Sequence, residues 1–471
     1  VYGMKNAKLQ IKRIIAQWIN GTNSGYVFGF EGPPGTGKTT LAKKGIAKAI
    51  KDKNGNARPF VFIALGGSSN GSTLEGHNYT YVGSTWGKIV DCLIETQCMN
   101  PIIYIDELDK VSKTEHGKEL IGILIHMTDP TQNDSFQDKY FSGIPIDISK
   151  CLIIFSYNDP NNIDSILLDR IHRIKTKQLT KHDKIQIVTN YMLPEILQSV
   201  GFETHDIQLS NEVLLYLIDT YTNEAGVRKL KELIFEIIRD LNLQYLLGSE
   251  TIINEFPIII THTMIDTIFM NKNKIIVKKI SNQPQIGLVN GLYATSTGLG
   301  GITIIQCTDI LSNIKLHLEL TGQQGDVMKE SMSVAKTVAW NLLTNKQQTT
   351  IYKKKPFGLH IHCPEAATPK DGPSAGAAIT LVIYSLLTKQ KINNVYAITG
   401  EIDLNGNLLA IGGLSLKVEG AKKAGIEYVL CPLENKEDVQ KIRNEKNPPE
   451  TDNFKIIMVS TINEVIEYML C

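Results

Sequence analysis

Tyr26-Val27-Phe28-Gly29-Phe30-Glu31 runs directly into Gly32-Pro33-Pro34-Gly35-Thr36-Gly37-Lys38-Thr39, and this stretch decides the fold. A short β-rich run meets a glycine-rich turn, and a Lys/Ala-rich helical segment follows to Ile50. The glycines let consecutive backbone N–H groups wrap phosphate oxygens, and the helix N-terminus adds partial positive charge. In such a P-loop Lys38 pairs with β/γ-phosphate oxygens, and Thr39 offers its hydroxyl to Mg2+. A plain Gly/Pro turn ahead of a helix is the bland alternative. Strand, loop, Lys-Thr and helix in their required order argue against it.

Further along, Ile102-Ile103-Tyr104-Ile105-Asp106-Glu107 is an apolar strand ending in two carboxylates. Alone, such a pair is usually a solvated helix start; behind a P-loop, Asp106 belongs to the Mg2+ shell and Glu107 polarises the attacking water. Asn158, closing the apolar run Leu152–Tyr157, is placed to orient the same water. With Phe60–Leu65, these short apolar runs alternate with helical segments, which predicts a parallel sheet covered on both faces. Lys8–Ile19 carries helical periodicity ahead of them.

From about Thr180 to Met270 the texture changes to amphipathic helices, among them Val213–Tyr221 and Val227–Leu247. A Lys/Asn-rich stretch with Pro284 then reads as a linker. Strand-like runs (Gly301–Ile305, Ile314–Leu320, Leu359–Cys363) mixed with helices (Val327–Leu343, Ser374–Leu387) follow and predict an α+β domain. The expected division is 1–178 for an α/β nucleotide-binding subdomain, 179–270 for a helical lid, 271–285 for the linker and 286–471 for the last domain. The absence of any repeat of a few tens of residues argues against a solenoid.

Bulk composition narrows the classes. The 471 residues are 42% hydrophobic and 21% charged, as in globular proteins, and the formal net charge is +1. No global field draws the chain to nucleic acid or an anionic membrane, so nucleic acid is an unsupported partner. Seven scattered cysteines form neither a metal clip nor a disulfide framework, which fits a reducing compartment. The longest apolar run, Ala377–Leu387, is about half of the ~20 residues a membrane span needs. There is no basic-then-apolar leader, and a first residue of Val1 is what an excised or processed chain shows.

The second decisive stretch is Pro369-Lys370-Asp371-Gly372-Pro373-Ser374-Ala375-Gly376-Ala377-Ala378. A serine behind a Gly-Pro turn and ahead of an Ala-rich helix sits where backbone N–H groups stabilise an oxyanion, although serine at a helix start is most often an N-cap. A second motif, Ile411-Gly412-Gly413-Leu414-Ser415-Leu416-Lys417, shifts that balance. Both motifs and their spacing are similar to the Lon peptidase, and the whole chain from about Tyr2 resembles the Lon family. The resemblance implies a serine nucleophile, Ser374, served by a lysine base, Lys417, without a catalytic histidine. A lysine can act as base only when burial and neighbouring cationic charge lower its pKa from ~10.4 towards neutrality. In the family an orienting hydroxyl comes from the position of Thr399. His360 and His362, two apart on one strand face, are read as part of the site's wall, with His362 and Asp371 as secondary positions. Asp371 either shapes the loop or holds Lys417 away from Ser374.

For the first half, the resemblance is to AAA+ ATPases: a P-loop parallel sheet with a helical lid, followed by the Lon-type α+β peptidase. Arg170, in Leu167-Leu168-Asp169-Arg170, resembles the arginine finger that reaches a neighbour's γ-phosphate; Arg228, in Ala225-Gly226-Val227-Arg228, resembles the lid's sensor residue. For either arginine alone a surface salt bridge is the commoner explanation. A finger acting in trans implies a ring, hexameric in the family. Tyr81 and Val82 lie where such rings carry an aromatic pore loop, with Trp86 an added candidate. The family's large N-terminal domain for substrate capture is not among these residues. The resemblance thus implies an endopeptidase that uses ATP to unfold and pull unfolded or damaged proteins into a closed chamber, in the cytoplasm or an organelle matrix such as the mitochondrial one. The alternatives are a remodelling ATPase with its peptidase fold kept as scaffold, and a nucleic-acid motor carrying a Lon-like domain.

Overall fold

A computed structural model describes residues 1–20, 26–51, 55–66, 71–247, 256–274, 281–295, 298–353, 356–364, 371–444 and 448–471. Pro369 and Lys370, and 275–280 of the expected linker, lie outside them. The chain divides into two compact units, Val1–Ile275 and Ile276–Cys471.

In the first unit five strands form one parallel sheet, in the spatial order Phe60–Ala64, Ile102–Asp106, Leu152–Tyr157, Tyr26–Glu31 and His172–Lys175. Alternate side chains of the central strands enter opposite cores, which is why these strands read as unbroken apolar runs. Ile102, Tyr104 and Ile154 join Phe28, Phe30 and Ile46 on one face; Ile103, Ile105 and Phe155 join Leu120, Leu124 and Ile163 on the other. The helix beginning at Lys38 passes through a π-type segment, Leu41–Ala47, and buries Leu41, Ala42 and Ile46 on the first face. A short hairpin, Phe136–Gln137 with Pro145–Ile146, had no alternating pattern to announce it.

The lid packs helices Lys181–Ile187, Leu193–Val200, Asn211–Tyr221, Arg228–Leu246 and His262–Ile268 around Leu217, Leu230, Ile234 and Ile238. It is not purely helical: Ile207–Gln208 and Ile258–Ile259 pair in parallel. Two-residue strands are too short for any periodicity to reveal.

The second unit is a mixed seven-stranded sheet in the order Leu318–Thr321, Phe357–His362, Gly300–Leu311, Leu288–Ala294, Tyr396–Ile398, Tyr428–Pro432 and Lys455–Val459. Helices Asp326–Asn341, Gly376–Thr388 and Ile462–Met469 contribute to the core on one face, and Leu414–Ala424 and Lys436–Arg443 to that on the other. The expected strand Ile314–Leu320 begins only at Leu318, because Leu316 takes a left-handed backbone (φ 53°) and the chain turns there. No helix among the described residues is long and apolar enough to cross a membrane, and none of the seven cysteines forms a disulfide.

Candidate active sites

The P-loop lies between the Tyr26–Glu31 strand and the helix that starts at Lys38. Lys38 is buried, and its ammonium points back into the loop. Nζ donates to the Gly32 carbonyl, to the Pro33 carbonyl (3.1 Å) and to Asn158 Oδ1 (2.8 Å). Burial pushes the Lys38 pKa down to about 8, outweighing the opposing pull of Asp106 and Asp109. Thr39 Oγ1 lies 3.1 Å from the hydroxyl of Tyr104, two residues before Asp106. Thr36 and Pro33 close the loop on themselves, Thr36 Oγ1 donating to the Pro33 carbonyl (2.9 Å). Glu107 takes a left-handed backbone (φ 60°, ψ 41°), a conformation that costs a non-glycine residue about 1–3 kcal/mol.

One residue of this site escaped the sequence reading. Asp109 is buried, and its Oδ2 accepts the backbone N–H groups of Asn158 and Asp159, each at 3.2 Å. The place of Asn158 is therefore set by a carboxylate just past Asp106. The signal was present as a third acid after the strand, but acids there look like an exposed helix start.

The two arginines sit differently. Arg170 follows the helix Ser165–Asp169, whose start is capped by Asp164, and its Nη1 lies 2.7 Å from Asp129 Oδ2. Arg228 opens the helix Arg228–Leu246 beside the P-loop, where the Val227 N–H donates to the Gly35 carbonyl (3.1 Å). Glu224 caps that helix twice, accepting from Lys229 N (2.9 Å) and Leu230 N (2.8 Å). Tyr81 and Val82 stand at the tip of the loop 77–86, exposed to 66% and 108% of their reference areas. Trp86 packs instead against Tyr140 and Phe141.

In the second unit Asp371 and Gly372 lead into a 3-10 turn, Pro373–Ala375, which holds Ser374 and runs on into the helix Gly376–Thr388. Lys417 lies one turn into the helix Leu414–Ala424 and is 3% exposed. Burial alone pushes its pKa down to about 8. Nζ donates to Thr399 Oγ1 at 3.0 Å, and Thr399 Oγ1 lies 3.3 Å from the Ser374 carbonyl oxygen, which also accepts the Gly400 N–H (2.9 Å). Thr399 thus joins the two motifs. Among the described residues the Ser374 hydroxyl itself takes no hydrogen bond.

Two contacts fix where Lys417 stands. The loop ahead of its helix is clamped by buried Asn435, which accepts from Ile411 N (3.0 Å) and donates to the Ile411 carbonyl (2.9 Å). The helix then rests on the Gly300–Leu311 strand backbone to backbone: a Cβ at Gly420 would lie 2.3 Å from the Gly301 nitrogen. Neither contact carries a sequence signature, because each pairs residues far apart in the chain.

Asp371 does not pair with Lys417. Its Oδ1 accepts from Gly372 N and from Met328 N, both at 3.0 Å, so it ties the turn to the start of the helix Asp326–Asn341. Asp326 itself pairs with Lys329 at the surface (3.1 Å). His360 and His362 do share a strand face. Thr321 Oγ1 lies 2.9 Å from His360 Nε2 and 2.7 Å from His362 Nδ1, and among the described residues no group of three metal-binding side chains is found.

Known families align with both units. Residues 259–471 match the family model of the Lon protease (S16) C-terminal proteolytic domain, and 198–253 that of the Lon protease AAA+ ATPase lid domain. Residues 28–179 match the ATPase family associated with various cellular activities (AAA), a domain that implies nucleotide binding. Similar curated proteins include a Lon protease homolog of Acanthamoeba polyphaga mimivirus, 37% identical over 99% of this chain and 50% of its own length. A Lon protease of Campylobacter concisus is 38% identical (95% of this chain, 55% of its own), and a mitochondrial Lon protease homolog of Drosophila melanogaster is 32% identical (98% and 44%). The chain spans about half the length of the curated relatives it matches.

Proposed function

The chain belongs to the Lon protease family, carrying its AAA, lid and proteolytic domains, and on that footing we propose that it is an ATP-driven endopeptidase acting on unfolded or damaged proteins. The observation that carries the reading is the buried, uncompensated amine of Lys417, held by Thr399 beside the Ser374 backbone. A charge buried without a counter-ion is a cost no scaffold needs. In the proposed reaction neutral Lys417 turns from Thr399 to take the Ser374 Oγ proton as Oγ attacks the scissile carbonyl. The oxyanion forms at the start of the helix Gly376–Thr388, where N–H groups and the dipole favour negative charge. Protonated Lys417 then gives its proton to the leaving amine, and water, activated by the same amine, releases the acyl group.

In the ATPase half we assign Lys38 and the backbone from Gly32 to Gly37, Pro33, Pro34 and Thr36 included, to the phosphates of ATP. Glu107 and Asn158 take the attacking water. Arg228 serves the site from the lid, and Arg170 serves that of a neighbouring copy. Thr39 and Asp106 offer a hydroxyl and a carboxylate, hard oxygen donors of the kind Mg2+ takes beside phosphate oxygens; when bound, the ion would neutralise phosphate charge. The finger role implies a ring, which we propose is a hexamer, with Tyr81 and Val82 gripping the substrate chain. His362 and Asp371 shape the wall and turn of the peptidase site. None of the seven cysteines forms a disulfide, which fits a reducing compartment, either cytoplasm or an organelle matrix; the Drosophila relative is named mitochondrial.

The test is ATP-dependent degradation of an unfolded protein by wild type, Ser374→Ala and Glu107→Gln. Ser374→Ala should lose proteolysis and keep ATP hydrolysis; Glu107→Gln should lose both hydrolysis and degradation. Peptide cleavage undiminished in Ser374→Ala would remove the nucleophile and the reading with it.

A further inference from the structure

The loop 77–86 leaves and re-enters the fold through a narrow neck. A Cβ at Gly76 would lie 2.7 Å from the Gly87 nitrogen, and one at Gly87 2.0 Å from the Leu74 carbonyl oxygen, so the two sides of the neck touch backbone to backbone. The His77 N–H closes the neck on the Thr85 carbonyl (3.1 Å). Beside it lies Asp138, which is fully buried. Its Oδ2 accepts the Gly87 N–H at 2.8 Å, and its Oδ1 accepts the Tyr140 N–H at 2.9 Å. Asp138 begins the loop of the hairpin Phe136–Gln137/Pro145–Ile146.

Around that carboxylate the two loops are clasped twice more. The Lys139 N–H donates to the Glu75 carbonyl (2.7 Å), and Lys139 Nζ reaches Glu75 and Glu119 (3.5 and 3.0 Å). At the surface the Trp86 ring stacks on Phe141 (6.2 Å between centroids, 25°) and meets Tyr140 edge-on (5.9 Å). A buried carboxylate must be satisfied by its hydrogen bonds, and both of these lead to loop backbone.

We propose that Asp138 is the positioning residue that makes the loop bearing Tyr81 and Val82 move as one rigid body with the neighbouring hairpin. The loop tip is exposed and short of packing, so without that pin its displacement would be absorbed at the glycine neck rather than passed to a substrate chain. This inference rests on the proposal that Tyr81 and Val82 grip the substrate, and it adds what transmits force to them.

The experiment compares wild type, Asp138→Asn, Phe141→Ala and Tyr81→Ala on a folded fluorescent protein with an unstructured tail and on a short unstructured peptide. Asparagine keeps the size of Asp138 but can accept only one of the two N–H groups. Asp138→Asn should keep ATP hydrolysis and peptide cleavage within about twofold, while the ATP spent per folded chain degraded rises about tenfold. Phe141→Ala, which removes the ring that stacks on Trp86 and meets Tyr140 edge-on, should show a smaller change of the same kind, and it decides alone if Asp138→Asn does not fold. Coupling at the wild-type value, or ATPase, peptide and protein activities falling together, overturns the proposal. If Tyr81→Ala still degrades the folded protein, the grip itself is misplaced; if Tyr81→Ala fails while Asp138→Asn and Phe141→Ala degrade normally, only the coupling falls.

Discussion

At the scale of single residues, Lys417 is held against the ordinary preference of an amine for water. The residue is 3% exposed, its amine makes one hydrogen bond, to Thr399, and its pKa falls from the ordinary 10.5 to about 8. That fall corresponds to about 3 kcal/mol of unfavourable charge burial. Because the folded pKa lies below the unfolded one, the unfolded chain binds more protons between pH 8 and 10.5, and stability rises across that window. Lys417→Met should therefore abolish peptide cleavage yet unfold at a higher denaturant concentration at pH 7, a gain of about 1–3 kcal/mol that shrinks as pH approaches 10.5. Equilibrium denaturation at several pH values checks it; a variant less stable than wild type at pH 7 would mean that the amine is not buried as a charge. The same group predicts the activity profile. Cleavage of a short peptide should rise about tenfold per pH unit up to about pH 8 and level off above, since only the neutral amine accepts a proton. Ser374, Lys417 and Thr399 were named from local motifs that resemble the Lon peptidase, and the structure links them through Thr399. The Asn435 clamp on Ile411 was not legible in the sequence, since an asparagine's partners across the fold leave no local mark.

At the scale of elements, the helix Leu414–Ala424 is held by the absence of a side chain. Gly420→Ala would set a methyl 2.3 Å from the Gly301 nitrogen, and a strand backbone cannot move aside as a side chain would. Overpacking of this kind costs about 1–3 kcal/mol, and here it also tilts the helix that carries Lys417. Thermal unfolding should shift down while peptide cleavage falls further than the lost stability explains; full activity would show that Lys417 is not placed by this contact. On the lid, Glu224→Ala removes both caps from the helix Arg228–Leu246, at about 1 kcal/mol, and loosens the turn that carries Arg228. A raised KM for ATP with little change in thermal midpoint is the expected result. Strands and long helices were readable because burial on one face leaves a period and burial on both leaves an unbroken apolar run. The hairpin at Phe136–Ile146 and the lid's strand pair are two residues long on each side, and the turn at Leu316 rests on backbone conformation; none of these leaves a period to read.

At the scale of the whole molecule, the chain divides into two compact units, and the boundary between them falls within the Lys/Asn-rich stretch expected as a linker. In the proposed ring, Arg170 is the residue that one subunit would lend to the nucleotide of the next. That arginine pairs with Asp129 of its own subunit at 2.7 Å, so serving a neighbour's nucleotide requires it to exchange one anion for another. The exchange can be tested by mixing two inactive proteins. Lys38→Ala lacks a working P-loop but keeps its Arg170; Arg170→Ala keeps the P-loop but lacks the finger. If the finger works in trans, a site is restored wherever an Arg170→Ala subunit receives the arginine of a Lys38→Ala neighbour. In a random equal mixture that arrangement arises at about a quarter of the interfaces, so ATP hydrolysis should return to about a quarter of the wild-type rate. A finger acting within its own subunit predicts none, because no chain in the mixture carries both residues. An inactive mixture, with subunit exchange verified by a labelled copy, would return Arg170 to the plain surface ion pair with Asp129 and remove the residue-level reason for a ring.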